Sequence, residues 1–245
     1  MLINMSMNYV FDVDGTLTPP GSLVNVEFQS FLLDFIDSYN VTIVGGSSYD
    51  MILEQLGSDI CHNVDSVFAC QGTQQYQKGE RKFKLVVEWP LEMFEVLEDF
   101  LSNSDWEYIY GNNICDRDSM INFSVVGRDC PHEIRAKYSA WDKLRGERQS
   151  ISNYINNIFL EFECTIGGET SVDITPTGIG KHNILDHIVG DITFFGDRCD
   201  PGGNDYSLAK KLEENGQIVH KVTNWEDTEK ILKEITHGIH CRFTR

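Results

Sequence analysis

Two aspartates stand two positions apart in Phe11-Asp12-Val13-Asp14-Gly15-Thr16-Leu17-Thr18, directly after the run Tyr9-Val10-Phe11. If that run is a buried strand, both carboxylates project from its carboxyl end, where open α/β sheets place ligands, and the chain turns at Gly15. Paired carboxylates at such a point suit a two-part reaction. One attacks phosphorus and forms an acyl phosphate, and the other moves the proton of the leaving or entering oxygen. The competing reading is a turn built from residues that favour turns; the preceding strand and the whole eight-residue context favour chemistry.

The elements needed to hold these residues follow from apolar periodicity. An amphipathic helix over Val24–Tyr39, a buried strand at Val41–Val44, a Gly45-Gly46-Ser47-Ser48 turn and a helix at Tyr49–Leu56 make a strand-helix alternation, the signature of a parallel sheet with crossovers. Val67–Ala69 and Gln74–Tyr76 flank Gln71-Gly72 like hairpin arms. From about Gly79 the pattern changes. Strands are expected at Phe83–Val87, Glu107–Tyr110 and Met120–Val126, with helices at Pro90–Leu101 and over Pro131–Phe159, the latter interrupted near Gly146. Phe162–Ile166 and Ser171–Thr175 form a hairpin around Gly167-Gly168. Alternation then resumes with a helix at Lys181–Ile188, strands at Ile192–Phe195 and Gln217–Val222, helices at Tyr206–Glu214 and Asp227–Ile235, and a loose tail from Gly238 to Arg245. The pattern predicts an α/β protein: a doubly wound, Rossmann-like parallel sheet core (residues 1–78 and 179–245) with an inserted α+β cap (79–178). A length of 245 residues suits one core carrying an inserted module.

Composition narrows the function classes. At 41% hydrophobic and 24% charged residues the chain has ordinary globular usage, but 20 Lys and Arg against 38 Asp and Glu leave a net charge of −18. That balance excludes general nucleic-acid or anionic-membrane binding, which needs several cations facing phosphates. The first Lys or Arg is Lys78, so the segment bearing Asp12 is free of cations. Seven cysteines with no CxxC pair read as reduced thiols in a cytoplasmic setting. The opening Met1–Gly15 lacks a basic region and a long apolar run, so neither signal peptide nor membrane span is expected.

Residues 11–18 resemble motif I of the haloacid dehalogenase (HAD) superfamily of phosphotransferases. Ser47 after Gly45-Gly46 resembles motif II, a hydroxyl and backbone amides that hold the transferring phosphoryl. Lys181 resembles the motif III lysine, although alone it would pass for a solvated lysine at a helix start. Gly196-Asp197 and Gly203-Asn204-Asp205 resemble motif IV, which supplies metal-binding carboxylates. The insertion between motifs II and III is similar to the class C2 cap. Within it, Arg117-Asp118-Ser119-Met120-Ile121-Asn122 through Arg128, and Gly167-Gly168 leading to Ser171-Val172-Asp173, resemble the substrate-binding segments of the eukaryotic-type phosphomannomutase family.

The resemblance implies Asp12 as nucleophile, Asp14 as acid/base, and Ser47 and Lys181 as holders of the phosphoryl group. It places Gly46, Arg117, Asn122, Arg128, Arg135, Ser171 and Asp173 on the sugar phosphate. The metal would be Mg²⁺ on Asp12, Asp14 (through its carbonyl), Asp197 and Asp205. Four carboxylates alone would repel a phosphate, and a hard cation resolves that conflict. Arginines suit phosphate recognition, so Arg117, Arg128 and Arg135 make a clamp for the non-reacting phosphate. The implied reaction interconverts mannose 6-phosphate and mannose 1-phosphate through an aspartyl phosphate, with a hexose 1,6-bisphosphate as activator and a homodimer through the cap.

Two departures mark this chain. Pro19-Pro20-Gly21 stands where the family carries an arginine, and Cys70-Gln71-Gly72 where it carries Glu-Asn-Gly. Loss of a cation at the core-cap seam would leave water as acceptor, so a sugar-phosphate phosphatase is the alternative; a catalytically silent sugar-phosphate binding protein is the second. Other constellations carry less. His237 and His240 have no carboxylate at ligand spacing, the four tryptophans are scattered, and no nucleophile elbow surrounds Ser47.

Overall fold

Tyr9, Val10 and Phe11 are all buried, as a strand covered on both faces must be. They belong to β1 (Met7–Phe11) of a computed structural model that describes residues 7–243; Met1–Ser6, the start of the segment read for a signal peptide, and Thr244–Arg245 lie outside the described residues. After β1 come α1 (Val26–Ile36), β2 (Asn40–Val44), α2 (Tyr49–Leu56), α3 (Ser58–Asn63), β3 (Ser66–Ala69), β4 (Gln74–Gln77) and β5 (Glu80–Lys84). Then follow α4 (Leu91–Ser102), β6 (Ile114–Asp116), β7 (Ile121–Phe123), α5 (His132–Arg145), α6 (Glu147–Ile158), β8 (Phe162–Gly167) and β9 (Ser171–Pro176). A 3₁₀ helix at Lys181–His187, β10 (Asp191–Gly196), α7 (Tyr206–Glu214), β11 (Ile218–Lys221) and α8 (Trp225–Phe243) complete the chain.

The first sheet has the order β11-β10-β1-β2-β3-β4-β5, parallel from β11 through β3. Alternate residues of its strands face opposite ways, giving one apolar layer around Tyr9, Phe11, Val41 and Ile43 and another around Val10, Val44, Ile192 and Phe194. The chain runs outward from β1 through β2 and β3 on one side and returns through β10 and β11 on the other. The carboxyl ends of β1, β2 and β10 therefore lie side by side at the point where strand order reverses. The second sheet, β6-β7-β9-β8, is antiparallel; with α4, α5 and α6 it encloses its own core around Ile121, Phe123, Tyr138, Ile151, Ile155 and Val172.

Several expectations need correcting. The strand expected at Phe83–Val87 runs over Glu80–Lys84 and pairs antiparallel with β4, so residues 80–84, assigned to the inserted module, form an edge of the first sheet. Lys78 and Gly79, with φ of 51° and 80°, make the tight turn that folds β5 back. Glu107–Tyr110 forms no strand; its Tyr110 N–H donates to Val126 O at 2.9 Å without a ladder. The loose tail expected from Gly238 is helical through Phe243, because α8 is held by buried Thr228 and Leu232 and packs Ile231 and Ile235 on the first core. Among the described residues no helix is long and apolar enough to cross a membrane.

Candidate active site

The parallel register places Phe11 beside Phe195, so the residues that follow the two strands emerge together: Asp12 from β1 and Asp197 from β10. Asp12 N–H donates to Phe195 O at 3.0 Å, which ties the two strand ends. Asp205, carried back by the loop before α7, completes a cluster in which one carboxylate oxygen from each of Asp12, Asp197 and Asp205 lies within 4.8 Å of the others. Gly15 lets them converge. Its φ is 86°, and a Cβ there would stand 2.5 Å from Asp197 Oδ2.

Lys181, fully buried, answers part of this charge. Its Nζ donates to Asp12 Oδ1 and, at 2.6 Å, to Asp205 Oδ1. Burial alone would discharge this ammonium, but the Asp12 and Asp205 carboxylates outweigh burial and hold it charged. Burial, and then the Asp205 charge, pushes the Asp12 carboxyl well above the usual range against the pull of Lys181. Burial and Asp205 likewise push Asp197 up to about 6. One buried ammonium and the more distant Arg198 guanidinium, 3.8 Å from Asp197, leave three carboxylates incompletely compensated, and buried Asp197 Oδ1 has no hydrogen-bond partner. Hard oxygen donors, excess negative charge and an orphaned carboxylate oxygen fit a divalent cation such as Mg²⁺.

The expected metal ligands come together unequally. Asp205 has both oxygens engaged, Oδ1 by Lys181 and Oδ2 by the Arg198 N–H at 3.0 Å, so it also braces the lysine and its loop. The Asp14 carboxylate stands outside the cluster. Its Oδ1 accepts from Gly21 N and from Gln55 Nε2, both at 2.8 Å, which orients it over the same cleft.

The second sheet supplies the facing wall. Arg117 Nη1 donates to Gly46 O at 2.6 Å, beside Ser47, while its buried Nε has no partner. Arg128 donates to Asn122 Oδ1 at 3.2 Å, and Asn122 donates to Asp173 Oδ1 at 2.7 Å. Arg135 binds the backbone carbonyls of Cys130 and Arg128, bracing the segment that carries Arg128. All of these, with Gly46, Ser47, Ser171, Asp12, Asp14 and Asp197, line one cleft, whereas Lys181 and Asp205 lie buried beneath it.

Sequence reasoning missed three side chains. Arg198 lines the same cleft as Pro20 and Gly21, so the stretch without a nearby cation in sequence has one in space. Arg148 is buried and ion-paired to Asp142 at 2.7 Å, and its Nη1 donates to Gly167 O and Gly168 O, holding the turn before Ser171. Gln71 donates to Asp173 across the seam. A six-residue separation such as Asp142 to Arg148 gives no helical pairing signal, and Gln71, visible in the sequence only as part of a departure from Glu-Asn-Gly, has no charge to suggest a carboxylate partner.

Comparison with known proteins shows the family and the fold. A family model described as "Eukaryotic phosphomannomutase" matches residues 28–238. The chain belongs to the eukaryotic phosphomannomutase family. It is 35% identical to a phosphomannomutase of Spinacia oleracea, over 92% of this chain and 94% of that protein. It is 32% identical to a probable phosphomannomutase of Caenorhabditis elegans, over 92% and 95%. Among solved structures, an N-terminally truncated IMP-nucleotidase of Plasmodium falciparum matches with a TM-score of 0.62 at 16% identity, covering 95% of this chain and 71% of that one. A trehalose-6-phosphate phosphatase related protein matches with a TM-score of 0.58 at 19% identity, covering 95% and 99%. The fold is that of the HAD phosphatases, and the chain is a HAD-superfamily enzyme.

Proposed function

We propose that this protein transfers a phosphoryl group between positions of a hexose phosphate, interconverting mannose 6-phosphate and mannose 1-phosphate. The observation that carries the reading is the opposition, across one cleft, of a buried Asp12–Lys181–Asp205 cluster and a wall bearing Arg117 and Arg128. The Asp12 carboxylate attacks phosphorus, the bond from phosphorus to the sugar oxygen breaks, and Asp14 gives that oxygen its proton. In the return step Asp14 takes the proton of the entering sugar hydroxyl, whose oxygen displaces Asp12. Gln55 and Gly21 hold the Asp14 carboxylate for this shuttle. Gly46 and Ser47 receive the phosphoryl oxygens, and Lys181 holds Asp12 in place and offsets negative charge. Mg²⁺ held by Asp12, Asp197 and the Asp14 carbonyl, with Asp205 behind them, would neutralise phosphoryl charge. Arg117, Arg128 and Arg135 with Asn122, Ser171 and Asp173 would grip the remainder of the substrate.

In this reading residues 1–78 and 179–245, together with β5, form the catalytic core, and the rest of 79–178 forms a cap over it. The protein works in the cytoplasm on a small sugar phosphate, with a hexose 1,6-bisphosphate as activator and no nucleic-acid or membrane partner; cap-to-cap pairing makes its homodimer. Asp12→Asn should lower turnover by about 10⁴-fold or more while leaving the circular-dichroism spectrum unchanged. Substantial remaining activity would sink the assignment.

A second reading, sugar-phosphate hydrolysis, is favoured by Pro20-Gly21 at the core-cap seam, where the loop brings no cation of its own. Mannose 1-phosphate with Mg²⁺ and a trace of hexose 1,6-bisphosphate separates the two: isomer supports the mutase, and free phosphate without isomer rejects it. Binding without turnover of either kind would identify a silent sugar-phosphate binder.

A further inference from the structure

Cys70, Gln71 and Gly72 run consecutively through the left-handed region, with φ of 51°, 61° and 86°. For two residues with side chains this conformation costs on the order of 1–2 kcal/mol each, and it persists only where the surroundings enforce it. The enforcement comes from the neighbouring phosphoryl-site loop. Cys70 N–H donates to Ser47 O at 2.9 Å and Gln71 N–H to Gly45 O at 3.0 Å, while the Thr73 hydroxyl closes the turn on Cys70 O at 2.6 Å. The backbone of Gln71 is therefore a fixed extension of the Gly45–Ser47 loop.

The Gln71 side chain, 3% exposed, leaves that loop and crosses to the other sheet, where Nε2 donates to Asp173 Oδ2 at 2.7 Å. The other Asp173 oxygen accepts from Asn122, which in turn accepts from Arg128. Gly46 leaves room for this crossing: a Cβ on it would stand 2.9 Å from Gln71 Nε2 and 3.3 Å from Asp173 Oδ2. A continuous hydrogen-bonded path thus joins the Ser47 loop to the Arg128 guanidinium, and its one side-chain link across the seam is the Gln71 amide. Arg117 crosses the same seam onto Gly46 O, Thr73 and Gln74 meet Ser119, and Arg128 reaches Met51 Sδ. None of these contacts touches Asp173.

We propose that Gln71 is a positioning residue that fixes the spacing between the phosphoryl site at Gly46-Ser47 and the sugar-facing set Asp173, Asn122 and Arg128. The proposal rests on the sugar-phosphate reading above. Gln71 acts only on substrates long enough to touch both sides; a small phosphate ester that reaches Asp12 alone does not use it. Loss of the amide frees Asp173 to turn, and Asn122 and Arg128 lose their register with Ser47.

The test replaces the amide by a group of the same shape with no N–H, Gln71→Met, and by one that opposes the Asp173 carboxylate, Gln71→Glu. For each variant kcat and KM are measured on mannose 1-phosphate and on 4-nitrophenyl phosphate, and the Kd for mannose 1-phosphate is measured by calorimetry. Thermal melting checks that the variants are folded. The ratio of kcat/KM for the sugar phosphate to that for the aryl phosphate should fall about tenfold in Q71M and further in Q71E, with most of the loss in KM, and Kd should rise in step. An unchanged ratio and Kd, or an equal loss on both substrates, overturns the proposal. A wild-type protein that binds mannose 1-phosphate without turnover would overturn the catalytic reading instead, and the Kd comparison would still decide the role of Gln71.

Discussion

Replacing Asp197 by Asn should stabilise the metal-free protein at neutral pH, although it removes a group of the active site. The Asp197 carboxyl is pushed from its ordinary 3.8 up to about 6 by burial and by Asp205, against the pull of Arg198, 3.8 Å away, and of Lys181. A carboxyl whose folded pKa is raised makes its full contribution to stability below the unfolded value and loses it as pH rises through the folded one. The loss therefore falls between about pH 4 and pH 6. A rise of roughly two pKa units corresponds to about 3 kcal/mol, and the side chain is only 18% exposed, so solvent screening removes little of it. Asparagine keeps the shape and never ionises. Urea unfolding in EDTA, followed by tryptophan fluorescence, should find the Asp197→Asn protein gaining about 3 kcal/mol on the wild type between pH 4 and pH 7.5. Mg²⁺ should reverse the order at pH 7.5 by stabilising the wild type more than the variant. A stability difference that stays flat with pH in EDTA, or a variant that Mg²⁺ stabilises equally, would refute the reasoning.

Two further outcomes follow from buried charge. Lys181→Met leaves Asp12 and Asp205 facing each other without their shared ammonium, so the metal-free protein at pH 7.5 should lose about 3–5 kcal/mol in urea unfolding; unfolding at the wild-type midpoint would count against the pairing. Arg148→Met should destabilise by a similar amount through stranded Asp142, and the double variant with Asp142→Leu should recover stability without recovering the KM for sugar phosphate, since the Gly167-Gly168 turn stays unheld. Full recovery of KM in the double variant would reduce Arg148 to a structural role.

Much of the frame was legible in the sequence because its signals are local. The apolar run before Asp12, the Gly45-Gly46 turn after β2 and the run Ile192–Phe195 before Asp197 each mark a strand end, and a parallel sheet brings such ends to one edge. Helices α5 and α6, broken at Gly146, were equally readable because Gly146 adopts φ of 71° at the break. The signals failed where partners are distant or uncharged. Nothing in the sequence of β5 says that it extends the first sheet, and nothing in Gln71 says that its amide meets a carboxylate 102 positions away. The tail from Gly238 read as loose because a local window does not see that α8, to which it belongs, is anchored further back, where Ile231 and Ile235 pack on the first core.

By itself the sequence determined which side chains stand at the strand ends and in the loops beside them, and therefore which chemistry is available: carboxylates, a hydroxyl and a lysine on one side, arginines in the insertion. Only the tertiary structure decided their electrical state. Asp12 and Lys181 are 169 residues apart in sequence and in contact in space, whereas the Asp14 carboxylate, the nearer neighbour in sequence, stands outside that cluster and is held over the cleft by Gln55 and Gly21. Charge interaction depends on distance and burial, and both are set by the packing of the whole chain. The acidic first segment thus becomes a site that can accept phosphate through cations that lie, in the sequence, entirely beyond it.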